Sequence, residues 1–163
     1  MLETIFLKGL YLKWMEQFNE LYPVELRATI SEILEVEKRG GKFIYIIEKE
    51  TGKPIGETFY VALDNLAPLK KDSQLEEYLS RKAAYVFKNS ILKEYQGQGY
   101  GKLLTEYRVK CMKEEGFEYS IGHARDNGSI KQAKLFGAEV IDTVSNWLNT
   151  GEQVFICVLK LNK

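Results

Sequence analysis

Tyr95-Gln96-Gly97-Gln98-Gly99-Tyr100-Gly101-Lys102-Leu103-Leu104 is the stretch on which the reading of this chain turns. Three glycines at alternate positions remove every second Cβ where the chain enters an apolar-periodic helix. Glycine tolerates positive φ and lets another molecule approach the backbone closely. The first turn of a helix presents N–H groups without partners and a partial positive charge. Such a loop suits a phosphate or pyrophosphate. Spacing excludes two familiar phosphate motifs. A P-loop requires a glycine, four residues, then Gly-Lys-Ser/Thr, yet Gln96 stands five before Gly101 and Leu103 follows Lys102. The dinucleotide fingerprint requires G-x-G-x-x-G after the first strand of a βαβ unit. Here the third glycine comes one residue early, and the loop lies past the middle of the chain. The plain alternative, a turn that merely joins a strand to a helix, is weakened by what surrounds the loop.

Working outward, Ala83 to Leu92 reads as a long strand entering the loop, and a helix from about Gly101 to Glu115 leaves it, stopped by Gly116. Phe117 to His123 reads as a strand, Ser129 to Phe136 as a short helix closed by Gly137. Val140 to Trp147 and Gln153 to Leu161 form a last pair of strands around the turn at Asn149-Thr150-Gly151-Glu152. Upstream, a short strand at Thr4–Leu7 precedes a helical stripe of Leu12, Met15, Phe18 and Leu21. A second helix is expected to start at Pro23 and to carry Val24, Leu26, Ile30, Ile33 and Leu34 on one stripe until Gly40-Gly41. Phe43–Ile47 and Ile55–Leu63 are β-branched and aromatic runs joined by Glu50-Thr51-Gly52-Lys53-Pro54, a hairpin. Residues 64–80 form a polar excursion with a short helix at Leu75–Leu79. The order is β-α-α-β-β-β-α-β-α-β-β, with no repeat or linker.

A chain of 163 residues is long enough for one domain with a real core, and residues 1–163 are read as that single domain. Lys plus Arg and Asp plus Glu both number 23, so no basic excess points to nucleic acid. Two cysteines without a CxxC pair and a single histidine supply neither a disulfide framework nor a Cys/His zinc site, so no metal is expected. Charged Glu3 and Lys8 flank the short apolar run at the N-terminus, which reads as neither a signal peptide nor a membrane span. A cytoplasmic location is the default expectation.

What remains of the loop after these exclusions is Gln-x-x-Gly-x-Gly, at Gln96, Gly99 and Gly101. It resembles the acyl-CoA loop of the GCN5-related N-acetyltransferases (GNAT), and the element order is also similar to theirs. Asn127-Gly128-Ser129 through Gly137 is similar to that family's Asn-x-x-Ser-Ile…Gly-Phe segment, with Asn and Ser one residue closer and Ala138 in place of the usual Phe. The likeness is specific from about Ser90 to Ala138. It implies an α/β (α+β) fold: one mixed, mostly antiparallel sheet of about six to seven strands, flanked by about four helices and splayed between the fourth and fifth strands. It implies acetyl-CoA as cofactor, without a metal. The backbone of Ile91 and Leu92 would pair with the pantetheine arm. The N–H groups of Gly97, Gln98, Gly99, Tyr100, Gly101 and Lys102 would hold the pyrophosphate, and Gln96 would shape the loop. Asn127 would bond the pantetheine amide, with Ser129 beside it. Lys131 or Lys134 is a further phosphate contact, although surface lysines are more often simply solvated.

The activity implied is transfer of an acetyl group from acetyl-CoA directly to an amine, on a small molecule or a peptide. Such transfer requires a base for the amine, donors for the oxyanion and an acid for the leaving thiolate. The family's N–H donor for the oxyanion falls near Ile91–Leu92. Candidate bases are Glu57 on the third strand and His123. The family's usual acid, a tyrosine four residues before the glycine of the last motif, is replaced by Ala133. Tyr100 is the phenol left near the loop. The absence of that tyrosine keeps open a module that binds acyl-CoA with little turnover. Trp14, Phe18, Tyr22, Phe59, Tyr60, Tyr85 and Asn89 are candidates to line the acceptor site, and Cys111 reads as core. Dimers are common in such a family, which leaves a homodimer as an open expectation.

Overall fold

The computed structural model describes residues 1–66, 75–125 and 128–161. Seven strands form one sheet in the order β1-β2-β3-β4-β5-β7-β6. They are β1 (Thr4–Lys8), β2 (Lys42–Glu48), β3 (Pro54–Ala62), β4 (Ala83–Ile91), β5 (Tyr119–Arg125), β6 (Glu139–Val144) and β7 (Val154–Lys160). Every neighbouring pair is antiparallel except β4 with β5, which run parallel. This is the mixed, mostly antiparallel sheet that the family resemblance implies. A parallel pair requires a crossover, and α4 (Tyr100–Glu114) supplies it.

β2 and β3 are buried along nearly their whole length on both faces, which explains the unbroken apolar run Phe43–Ile47 of β2; in β3 the run is interrupted by Gly56, Glu57 and Thr58. One face is covered by α1 (Leu12–Asn19) and α2 (Ile30–Lys38). Met15, Phe18, Ile33 and Val36 pack there against Phe43, Tyr45, Phe59 and Val61. The other face is covered by α4, whose Leu104, Cys111 and Met112 pack against Ile44, Ile46, Tyr60 and Ala84. Each such side chain contributes about 1.5–3 kcal/mol when fully buried. α5 (Gly128–Leu135) lies over β5 and β7.

The helices depart from expectation in two places. A single-turn helix, α3 (Leu63–Leu66), makes the described helices five rather than four. The second helix begins at Ile30, not at Pro23: Val24–Leu26 is a separate 3₁₀ turn, and Thr29 caps α2 by accepting from the Glu32 N–H at 3.1 Å. A threonine cap satisfies a first-turn donor that an apolar residue leaves open. Val24 is consequently exposed, and the buried stripe of α2 is Ile33 and Val36 rather than Ile30 and Leu34. Of the 64–80 excursion, residues 67–74 lie outside the described residues, and the short helix expected at Leu75–Leu79 is a 3₁₀ turn at Glu76–Tyr78.

Candidate functional site

The β4–β5 ladder has only four pairs, from Ala83↔Tyr119 to Val86↔Gly122. β4 then stays with β3 as far as Ile91↔Gly56, while β5 stays with β7 as far as Arg125↔Val154. The two strands part and leave a gap edged by main-chain groups that need partners. Which residues face the gap follows from the register. The Leu92 N–H donates to the Ile55 carbonyl at 3.0 Å. Main-chain groups alternate along an antiparallel strand, so Ser90 and Leu92 turn theirs toward β3, while Asn89 and Ile91 turn theirs toward the gap. Of the two residues read as partners for an extended arm, Ile91 faces the gap and Leu92 does not.

A 3₁₀ turn at Lys93–Tyr95 leads from β4 into the glycine loop. Gly97 has φ +74° and Gly99 φ +91°, the left-handed region that costs glycine least. Gly99 is the N-cap of α4, and no side chain caps that helix, so its first-turn N–H groups point outward from the loop. The Gln96 side chain donates to the Ile91 carbonyl at 2.9 Å, tying the loop to the end of β4, and Gln98 donates to the Glu94 carbonyl at 3.1 Å. Gly101 leaves room for Gln132 of α5, whose amide nitrogen would lie 3.2 Å from an added Cβ. Lys102 is exposed, with Glu106 one turn along α4 at 3.9 Å. Ser129 lies exposed in the first turn of α5. Asn127 lies outside the described residues.

A cavity of about 810 Å³ passes through the gap. On the α1–α2 face it is lined by Tyr22, Lys88, His123 and Trp147. On the α4–α5 face it is lined by Asn89, Thr105, Arg108, Gln132 and Ala133. Side chains of β4 alternate between the two faces, and a bulge shifts which residue takes which: Phe59 pairs with Lys88 and Tyr60 with Val86, leaving Phe87 as an extra residue. The bulge places Lys88 on the α1–α2 face, where its ammonium donates to Asn19 Oδ1 at 2.9 Å and lies 4.7 Å from the centre of the Tyr22 ring. The Tyr22 hydroxyl in turn sits 2.6 Å from Ser90 Oγ.

Glu57 belongs to this cluster. It stands in one cross-strand row with Tyr45 and Ser90 and is 0% exposed. Neither carboxylate oxygen makes a well-formed hydrogen bond among the described residues, although the Tyr45 hydroxyl stands close enough to favour the charged form. Burial raises its pKa from 4.5 to about 7; the positive charge of Lys88 and the Tyr45 hydroxyl pull the other way. A carboxyl poised near neutrality is what proton transfer at physiological pH requires. Burial likewise lowers the pKa of Lys88, with Glu57 opposing, and raises that of Tyr22. Glu57 does not itself line the cavity. The two groups that couple it to the cavity are Lys88 and Tyr22.

Of the other two candidate catalytic residues, His123 lines the cavity on the α1–α2 face and Tyr100 does not. His123 follows Gly122, where the β4–β5 ladder ends. Its Nδ1 is 2.6 Å from the Tyr85 hydroxyl, and its ring stacks on Trp147 at 4.2 Å. Tyr100 is not brought to the cavity. Its ring is buried on the α4 side, and its hydroxyl accepts from the Leu2 N–H at 2.9 Å, at the β1 end of the sheet. Sequence reasoning missed Lys88 and gave Tyr22 no more than a framing role. The available signal was Lys88-Asn89-Ser90, three polar residues closing an otherwise apolar strand. Among the described residues, no group of three His, Cys, Asp or Glu side chains is placed to hold a metal ion, and no helix is long and apolar enough to cross a membrane.

The chain matches the model of the Acetyltransferase (GNAT) family over residues 7–137. No curated protein sequence matches it. Its fold is similar to that of the ribosomal-protein-S18-alanine N-acetyltransferase of Escherichia coli, with a TM-score of 0.72 at 14% identity, covering 99% of this chain and 96% of that one. It is similar to an N-acetyltransferase of Staphylococcus aureus Mu50, with a TM-score of 0.70 at 12% identity over 98% and 99% of the two chains. A GNAT superfamily phosphinothricin acetyltransferase of Sinorhizobium meliloti, solved in complex with acetyl-CoA, superposes with a TM-score of 0.69 at 14% identity over 96% and 88%.

Proposed function

Since the chain belongs to the Acetyltransferase (GNAT) family, we propose that it moves an acetyl group from acetyl-CoA directly to an amine, with Glu57 as the base. The observation that carries this reading is the buried carboxyl of Glu57, without a well-formed hydrogen bond among the described residues, beside the gap where β4 and β5 part. The residues around the gap fit the donor. The uncapped first turn of α4, with Gly97, Gly99 and Gly101 before and within it, suits the pyrophosphate. The gap-facing main chain of Asn89 and Ile91 suits an extended arm, and the N–H of Ile91 is the oxyanion donor we assign. Asn127 and Ser129 are proposed contacts to that arm. When bound, acetyl-CoA supplies the activated acyl group as a thioester.

Glu57 takes the amine proton through water, and Lys88 steadies the resulting charge pattern on the α1–α2 face. Glu57 is favoured over His123 because His123 is already engaged with Tyr85 and Trp147. The acceptor is an amine on a small molecule or a peptide, entering from the α1–α2 face. Titration of the protein with CoA tests the donor site: binding is expected, and silence at millimolar CoA would sink the reading. Gly99→Val adds a β-branched side chain at φ +91° and should abolish that binding.

A second reading is favoured by Ala133, which lines the cavity where the family places its acid. It makes the chain an acyl-CoA-binding module with little turnover. The cavity still holds two phenols, Tyr22 and Tyr85, so a hydroxyl proton remains within it. Steady release of free thiol from acetyl-CoA with a panel of amines decides between the readings in favour of the enzyme.

A further inference from the structure

On the α4 face the cavity ends at a charge that the acetyl-transfer reading leaves unused. Arg108 projects from the third turn of α4, is 9% exposed and lines the cavity. Its Nη1 donates to Thr58 Oγ1 at 3.0 Å, and Thr58 Oγ1 donates onward to the Lys88 carbonyl at 2.6 Å. The guanidinium is thus anchored to the bulge that opens the gap. Its Nε is buried without a hydrogen-bond partner among the described residues. No carboxylate of the described residues lies within 4.0 Å of it. Burial lowers its pKa to about 10, which still leaves a full positive charge at neutral pH. Val86, Gly122, Ala133, Cys157 and Leu159, all small or apolar, line the same cavity. A buried guanidinium without a counter-charge is costly, and a planar fork aimed into a pocket matches a carboxylate.

The side of the sheet decides what that carboxylate belongs to. Asn89, Thr105 and Gln132, which share this face, bond one another beside the glycine loop, with Asn89 Oδ1 also buried without a hydrogen-bond partner among the described residues. This is the donor side of the gap. The acceptor side is the opposite face, with Tyr22 and Lys88. We propose that Arg108 receives the free carboxylate at the far end of the acyl chain, so that the preferred donor is the CoA thioester of a dicarboxylic acid rather than of acetic acid. This rests on the donor site argued above and sharpens its acyl group. The chemistry is unchanged. The amine nitrogen bonds to the thioester carbonyl carbon, the C–S bond breaks, the amine proton passes to Glu57 and the thiolate takes up a proton. The distal carboxylate is carried over intact.

The test compares succinyl-CoA with butyryl-CoA, equal in chain length and differing in charge. Calorimetric titration of the wild-type protein is expected to show succinyl-CoA binding at least about tenfold more tightly, the size of a charge-assisted hydrogen-bond pair. In Arg108→Met the two thioesters should bind alike, and in Arg108→Lys the preference should shrink but survive. Equal affinities in the wild-type protein, a comparison that needs no variant, would overturn the proposal. So would a preference that persists in Arg108→Met. If CoA and both thioesters all fail to bind, the donor site itself is wrong and the proposal falls with it; if CoA and butyryl-CoA bind as well as succinyl-CoA, only the proposal falls.

Discussion

At the scale of single residues, the proposed reaction rests on the pair Glu57 and Lys88. Glu57 is raised to about 7 chiefly by burial, so the protonated form predominates at pH 6 and the basic form at pH 8. Activity as kcat/KM is therefore expected to rise with pH through about 7 and to level above it. Glu57→Gln should lower the plateau by about 10²–10⁴-fold and remove that limb of the pH profile, while CoA still binds. The same shift has a consequence for stability with a definite sign. A carboxyl whose folded pKa lies above its ordinary 4.5 binds more protons in the folded state between 4.5 and about 7. Its contribution is present below that window and is lost as pH rises through it. In urea melts, Glu57→Gln should flatten the fall in stability that the wild-type protein shows over this interval. Lys88 opposes the shift of Glu57, so Lys88→Met should move the activity limb to higher pH. A limb that stays in place would show that the base is another group.

At the scale of elements, the site depends on how β3 holds β4 at the mouth of the gap. Gly56 stands opposite Ile91, and a Cβ there would come within 2.5 Å of Ile91 Cδ1 and 3.0 Å of the Ser90 carbonyl oxygen. The isoleucine side chain can turn aside, but the carbonyl cannot move without β4. Gly56→Ala is expected to cost about 1–3 kcal/mol and to weaken CoA binding, both read from one thermal-shift titration. What was legible at this scale was whatever lies contiguous in sequence. The turn of the glycine loop into α4 was readable because it depends on backbone freedom written into adjacent residues. The strand run of β2 was readable because burial on both faces leaves an unbroken apolar stretch, and that of β3 because β-branched and aromatic residues surround Gly56 and Glu57. The start of α2 was misplaced because Val24 and Leu26 extend a helical spacing. Thr29 and Glu32, at cap spacing, were the signal that outweighed it. The face that Lys88 takes was not legible, since a bulge changes the face of a residue without changing the pattern around it. Nor was the burial of Glu57, which depends on α1 and α2 covering a strand from which they are distant in sequence.

At the scale of the whole molecule, the sheet is two antiparallel halves joined by four parallel pairs, and the proposed donor site is the wedge between them. A ligand lying in that wedge supplies the pairing that β4 and β5 do not give each other, so its binding should register as protection of particular amides. The N–H of Ile91 faces the gap, whereas the N–H of Leu92 is bonded to the Ile55 carbonyl. In amide hydrogen exchange followed by NMR, Ile91 should exchange readily in the free protein and slow on addition of CoA. Leu92, already paired within β3–β4, should be protected in both states to nearly the same degree. Global stabilisation by the ligand would slow both amides together through the linkage of binding to folding, so the informative quantity is the excess protection of Ile91 over Leu92. An excess confined to Ile91 places the arm in the wedge. Equal protection of the two would mean that CoA stabilises the fold from some other surface, and the role assigned to the β4–β5 gap would then be lost.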